Sequence, residues 1–127
     1  MNYASQEWLN RQCELQQEFT PRPGASARVQ YRLTAAPDGE IRYHANVVDG
    51  RIVEQLLGDH PAADGTMSSS YADSIAMLRG ELAPTTAFME GRVKVTGDVA
   101  KLAALMPITQ TAEYKRHYAQ LTEETEF

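Results

Sequence analysis

Two runs of strictly alternating side chains constrain this fold more than any other feature of the sequence. Val29, Tyr31 and Leu33 alternate with Arg28, Gln30, Arg32 and Thr34; Ile41, Tyr43, Ala45 and Val47 alternate with Arg42, His44 and Asn46. Successive residues of a strand point to opposite faces, so each run reads as a strand buried on one face only. Pro37-Asp38-Gly39 turns the chain between them. Asp49-Gly50 is a two-residue hairpin signal leading into a third strand. A tight turn there pairs Val47 with Ile52, Ala45 with Glu54 and Tyr43 with Leu56, which sets Glu54 among apolar neighbours on the covered face. A bulge or an early strand end would turn Glu54 outward, and the rarity of buried carboxylates favours that second arrangement.

The rest of the chain supplies the cover. Ser5 is a candidate N-cap, and Trp8, Leu9, Cys13, Leu15 and Phe19 fall within one arc of a helix over residues 5–19, with Gln, Arg and Glu on its other side. Pro21 and Pro23-Gly24 stop it. A short fourth strand, Asp64 to Ser68, leads to a helix capped by Ser69 or Ser70, and Ser70 with Asp73 fits a capping box. Gly80 is placed to end that helix and Pro84 to open the next. Val93 and Val95 mark a fifth strand, and Asp98 is the next N-cap. The segment Val99–Met106 carries one charge, Lys101, so a helix there would need cover on nearly all sides. A last helix over about 111–122 shows the narrow stripe Tyr114, Tyr118 and Leu121, and the acidic tail beyond it is expected to fray. The layout is α+β, a five-stranded sheet covered on one face by helices, in a single domain spanning 1–127.

Composition removes several function classes. The net charge is −5, from 12 Lys and Arg against 17 Asp and Glu, and the cations are scattered, so nucleic acid is not an expected partner. One cysteine forms no internal disulfide and requires no oxidising compartment. No apolar run reaches the ~20 residues of a membrane span. The first residues lack signal-peptide features and the last are not a peroxisomal address, so a cytoplasmic protein is expected. No catalytic residues stand out: Ser68-Ser69-Ser70 lacks the nucleophile elbow. His44, His60 and His117 read as solvated surface, and Cys13 as inert core. Neither a metal site nor a phosphate-binding loop is expected, and no cofactor.

An ordered set of corners carries a family resemblance. Asp64 and Thr66 in strand four are followed by Gly80, Leu82 and Pro84, then by Ala87-Phe88-Met89 and Gly91. Val93, Lys94, Val95, Gly97 and Asp98 complete the set. Over roughly Ala27 to Met106 the chain resembles the sterol-transfer domain of the sterol-carrier-protein family. Gly65 and the serine run depart from the family, where apolar and acidic residues are more usual. The resemblance implies a mostly antiparallel five-stranded sheet with an apolar tunnel between sheet and helices, and a ligand such as a sterol, fatty acid or acyl-thioester.

The tunnel walls implied are Ile75, Met77, Leu78, Leu82, Phe88, Met89, Leu102, Leu105 and Met106, facing Tyr31, Tyr43 and Val47. Thr66 and Ser68, with Glu54, are candidates to meet a polar headgroup. The competing structural reading makes all of the apolar ones ordinary core. In function, a binder or carrier of a lipid-like molecule leads. The alternative is an interaction module that docks on a second copy as a homodimer or on a lipid-metabolising enzyme. An enzyme built on Glu54, Tyr43 and Ser68 is the third and least favoured reading.

Overall fold

The computed structural model describes residues 1–127. Helix α1 (Gln6–Gln16) is followed by strands β1 (Ala27–Ala36), β2 (Gly39–Val48), β3 (Arg51–Leu57) and β4 (Gly65–Ser70). Then come α2 (Tyr71–Leu78), α3 (Pro84–Met89), β5 (Lys94–Gly97), α4 (Val99–Ala103), a 3-10 turn (Met106–Gln110) and α5 (Ala112–Glu123). The strands lie in the order β3-β2-β1-β4-β5, with β1 and β4 parallel and the other pairs antiparallel. The helices pack on one face, so the domain is α+β.

Side-chain caps set the helix starts. Ser5 Oγ accepts from Trp8 N at 3.2 Å, Ser70 Oγ from Asp73 N at 3.0 Å, Asp98 Oδ1 from Lys101 N at 3.1 Å and Thr111 Oγ1 from Tyr114 N at 3.1 Å. Each satisfies one of the donors that a helix start leaves free. Asp49 and Gly50 both adopt positive φ, 50° and 82°, as the tight hairpin turn requires. The strand after that turn carries a bulge: Val47 pairs with Ile52 but Asn46 pairs with Glu54, so Val53 is the extra residue. Glu54 therefore points outward, where Asn46 Nδ2 donates to it at 3.3 Å. Gln55 takes the covered position opposite Ala45 and is 2 % exposed.

Helix α1 lies along β3, and its glutamines face inward rather than outward. Gln6 Oε1 accepts from Leu57 N at 3.0 Å while its Nε2 donates to Gln55 O at 2.9 Å, and Gln16 Oε1 accepts from Ile52 N at 2.7 Å. The outer strand thus finds helix side chains where another strand would have been. Gln12 is buried between them and accepts from Gln55 Nε2 at 2.8 Å. The helix ends at Gln16, short of Phe19, which is buried in the turn that follows.

The connection from β3 to β4 crosses the sheet face opposite the helices. Gln30, His44 and Asn46 stand on that face, and residues 58–64 fold over them. Gln30 Nε2 donates to Tyr43 O at 3.1 Å and Gly58 O at 3.3 Å, and its Oε1 accepts from His60 N at 2.7 Å. The His44 ring bonds Gly58 O at 3.0 Å, and the His60 ring bonds Asn46 Oδ1 at 2.9 Å. His44 is consequently buried and not solvated, although it is on the face expected. His117 is also buried, with Phe19 and Tyr118 edge-on to its ring and no partner for either ring nitrogen.

Asp64 fixes the start of β4. Its carboxylate accepts from Arg28 N at 2.7 Å and pairs with the Arg28 guanidinium and with Lys101 Nζ, at 3.1 and 3.2 Å. The Arg28 backbone N–H first, then the guanidinium, holds this carboxyl well below the usual range. Gly65 follows because nothing larger fits: a Cβ there would lie 2.6 Å from Thr96 O and about 3.0 Å from a Leu102 methyl. Leu102 occupies that space, is 0 % exposed, and clusters with Ala27, Val29 and Val47. The apolar run 99–106 is not covered all round. It breaks into α4 and a 3-10 turn, with Leu102 the buried residue of α4 and Val99 45 % exposed.

The acidic tail does not fray. Glu126 N donates to Met1 O at 2.6 Å and Tyr3 N to Glu126 O at 3.0 Å, while Trp8 Nε1 donates to Thr125 Oγ1 at 3.1 Å. Arg11 grips Glu124 with two nitrogens, at 2.8 and 3.2 Å, and the Arg79 guanidinium lies 4.4 Å from the Phe127 ring centroid.

Two outcomes follow for stability. Leu102→Ala should cost ~3 kcal/mol in urea unfolding, because it removes a fully buried side chain above a glycine that cannot refill the space. Burial, with Arg11 nearby, lowers the His117 pKa from 6.5 to about 4. Between those values the unfolded chain takes up a proton that the folded chain refuses. The stability present above pH 6.5 therefore falls as pH drops toward about 4, by ~3 kcal/mol in total. Chemical denaturation across this range should show that slope, and His117→Leu should remove it.

Candidate functional site

Between the sheet and the helices lies a cavity of about 190 Å³. Its floor is the covered face of the strands: Tyr31 and Leu33 from β1, Tyr43 and Val47 from β2, Ile52 from β3, and Met67 and Ser69 from β4. Its roof comes from Trp8 of α1, Met77 and Leu78 of α2, Leu105, Met106 and Ile108 around the 3-10 turn, and Tyr114 and Tyr118 of α5. No charged residue lines it.

The floor exists because alternation places every second strand residue on this side. Tyr31 and Tyr43 are register partners, and their rings stack at 4.8 Å with 14° between planes. The parallel register sets Met67 beside Tyr31 and Ser69 beside Leu33, all on the covered face. The roof is incomplete because its helices are short and change direction at Gly80, Pro84 and Pro107.

Polar groups in the walls are few, and several are already engaged. Tyr3 OH donates to Ser74 Oγ at 2.9 Å, and Ser74 Oγ donates to Tyr71 O at 2.7 Å. Gln12 Nε2 donates to Tyr118 OH at 2.7 Å. Burial pushes the phenols of Tyr3, Tyr31, Tyr43, Tyr114 and Tyr118 upward, so all five stay neutral at physiological pH. A pocket of this kind offers apolar contact and uncharged hydroxyls. No Asp, Glu, His, Cys, Lys or Arg is among its walls.

A second concavity adjoins the first. This surface groove, about 340 Å³, runs between the α2–α3 corner and α5, and Met77, Leu78, Pro84, Thr109, Tyr114 and Tyr118 are walls to both.

Of the residues the sequence put forward, Tyr31, Tyr43, Val47, Met77, Leu78, Leu105 and Met106 line the cavity. Ser68 borders it, but pairs with Arg32 and so shares the opposite face. Thr66 pairs with Gln30 and stands on that opposite face too. Leu82 lines the groove alone, and Ile75 lines neither concavity. Phe88 and Met89 are 37 % and 85 % exposed, because α3 has six residues and buries only Ala87. Leu102 is seated on Gly65 and is not among the cavity walls. Glu54, exposed on β3, is not among the cavity walls with Tyr43 and Ser68, so that constellation does not assemble.

Met67, Ser69 and Tyr3 are wall residues that the sequence reading passed over. Alternation along β4 carried the signal for the first two, but its phase depends on a register with β1 that local sequence does not specify. Tyr3 had no signal at all, since it reaches the cavity through the clasp between the two chain ends. No cluster of His, Cys, Asp or Glu is placed to hold a metal, and no helix is long and apolar enough to cross a membrane.

The fold recurs in solved structures. The conserved hypothetical protein TT1886 from Thermus thermophilus superposes with a TM-score of 0.75 at 18% identity, covering 95% of this chain and 90% of that one. A crystal structure of sterol carrier protein 2 gives 0.68 at 17% identity, covering 96% and 98%. The palmitated SCP2L2 of Aedes aegypti gives 0.60 at 16% identity, covering 68% and 74%. No curated protein sequence matches the chain. A sequence profile described as the SCP-2 sterol transfer family matches residues 22–110, from the approach to β1 to the end of the 3-10 turn. This chain belongs to that family.

Proposed function

We propose that this protein binds a hydrophobic small molecule in the cavity between sheet and helices and carries it through water. The observation that supports this most directly is a cavity lined mainly by apolar and aromatic side chains, with a few uncharged polar groups and no charge among its walls. Burying an apolar chain there gains ~25 cal/mol per Å² of surface removed from water, before association costs. The cavity is smaller than the ~300 Å³ typical of drug-sized ligand sites. A flexible chain suits it better than a rigid ring system, and Met67, Met77 and Met106 are unbranched walls able to repack around different occupants. The palmitated relative from Aedes aegypti supports an acyl chain as the first ligand to try. The role is binding and transfer, without turnover, in the cytoplasm.

A second reading has its own observation. Val53, Leu56 and Leu57 on the outer strand, and Phe88 and Met89 on α3, are exposed apolar side chains, which suits a module docking on a second copy or on a lipid-metabolising enzyme. Native mass spectrometry separates the two readings: a monomer carrying lipid supports carriage, whereas an empty dimer supports docking.

The decisive variant is Met106→Glu, which puts a carboxylate at a half-buried cavity wall. Binding of a fluorescent fatty acid should weaken at least roughly tenfold, because the charge must be desolvated when the chain enters. The thermal midpoint should stay close to that of the parent. Unchanged binding in the variant, or no saturable binding in the parent, would overturn the proposal.

A further inference from the structure

The turn that follows α1 meets α5 at two neighbouring residues, and one of the two contacts leaves a buried donor unsatisfied. Glu113 accepts from Thr20 N at 3.2 and 3.3 Å and from Thr20 Oγ1 at 2.6 Å. One residue earlier, the Phe19 ring lies edge-on to His117, with centroids 5.3 Å apart. His117 is 4 % exposed and neither of its ring nitrogens has a partner. A buried N–H without an acceptor costs stability for as long as the turn stays shut.

The same turn stands at one end of the cavity. Gln16, where it begins, is a cavity wall and bonds to the wall residue Ile52. Gly50 and Ile108 are walls as well, and Arg22 lies against them: a Cβ at Gly50 would sit 3.1 Å from Arg22 Cβ and 3.3 Å from Ile108 Cδ1. Residues 17–21 span from one of these points to the other, with no helix or strand of their own. Beyond them the chain is tied to the hairpin, through Arg22 N to Asp49 O and Gly50 N to Ala25 O, both at 2.7 Å. Within the span, Thr20 is held by Glu113, and Phe19 O accepts from Arg51 Nε at 2.7 Å.

A proton on His117 alters both contacts with α5. The imidazolium needs an acceptor, and Glu113 is one helical turn back on the same helix, with Cβ atoms roughly 5–6 Å apart. To reach the ring, Glu113 must leave Thr20. The other charges in the neighbourhood are Arg11 of α1, Arg51 behind Phe19, and Arg22 and Arg116 beside Glu113, all positive. Glu14 and Glu124 are bound to Arg11, Glu18 is exposed, and Asp73 of α2 pairs with Arg92. Tyr118 stays neutral, and the 3-10 turn brings no ionisable residue. Glu113 is therefore the carboxylate placed to answer the charged ring.

We propose that residues 17–21 form a gate over this end of the cavity, latched by Thr20 on Glu113, and that a proton taken up by His117 draws Glu113 away and opens it. The gate stands on the packing of the turn, whatever the cavity holds; its part in ligand release rests on the binding reading above. Burial, with Arg11 nearby, keeps the shut form from binding the proton until about pH 4. Once open, the ring is in water and titrates at its ordinary value of 6.5. Between those limits the open form gains roughly tenfold in population for each unit that pH falls.

Amide hydrogen exchange of Thr20, whose N–H is bonded to Glu113 in the shut form, reads the opening with no ligand present. Its protection should fall roughly tenfold per pH unit from 6.5 toward 4, yet Ala45 in the sheet should remain at least roughly a hundredfold better protected, so that the opening is local. His117→Phe should abolish this slope. Glu113→Gln, which can still accept from Thr20, should reduce the acid opening severalfold, because the imidazolium then finds no carboxylate. A fluorescently labelled long-chain alcohol, uncharged throughout this range, should leave the parent faster as pH falls and leave His117→Phe at a constant rate. Thr20 protection that ignores pH, a slope that survives His117→Phe, or Thr20 and Ala45 losing protection together overturns the gate. Thr20 opening with no change in release overturns its role as a mouth. No saturable binding of the alcohol overturns the binding reading, while Thr20 exchange still decides the gate.

Discussion

The outer strand β3 has backbone donors and acceptors that no neighbouring strand can satisfy, and much of the structure depends on how α1 answers them. Gln6 and Gln16 bond to Leu57, Gln55 and Ile52 of that strand. Gln12 joins Gln55 to the hydroxyl of Tyr118 on α5. A helix held this way cannot slide along the sheet, since each glutamine fits one backbone position. That fixed seat delivers Trp8 and Gln16 to the cavity and sets the distance between α1 and α5. The clasp between the chain ends repeats the device at the other side of the helix, with Thr125 and Glu124 holding Trp8 and Arg11.

The local grammar of the chain was legible in the sequence, because it rests on interactions between near neighbours. Ser5, Ser70 and Asp98 cap their helices, Asp49-Gly50 makes the hairpin, and Glu54 turns outward at a bulge for the reason that made its burial unfavourable. The alternation of β1 and β2 placed Tyr31, Tyr43 and Val47 on the covered face. Illegible were features set by distant partners. The parallel register of β1 and β4 decides that Met67 and Ser69, and not Thr66, face the helices. The crossover of residues 58–64 buries His44 and Gln30 on a face that alternation alone assigns to water. Glutamines read as surface became the links between α1 and β3, since polarity says only that a group needs a partner.

Gly65 illustrates how a departure from the family pattern carries structural information. The expected apolar residue is missing from β4, but Leu102 descends from α4 to fill that place from the other side. What remains of the apolar run 99–106 is divided between a buried anchor and a 3-10 turn, and Leu105 and Met106 reach the cavity from that turn.

The crossing of residues 58–64 over the back of the sheet has a mechanical consequence. Gln30, with His44, Asn46 and His60, ties three strands and the connection into one bonded plate, so the floor under the cavity has little freedom to bend. In the opposite layer α1 is bonded to the sheet and to α5, whereas α2, α3, α4 and the 3-10 turn are short segments separated by Gly80, Pro84 and Pro107. Any change in the width of the cavity would therefore fall on those short segments, the jointed part of a cover otherwise tied to its base.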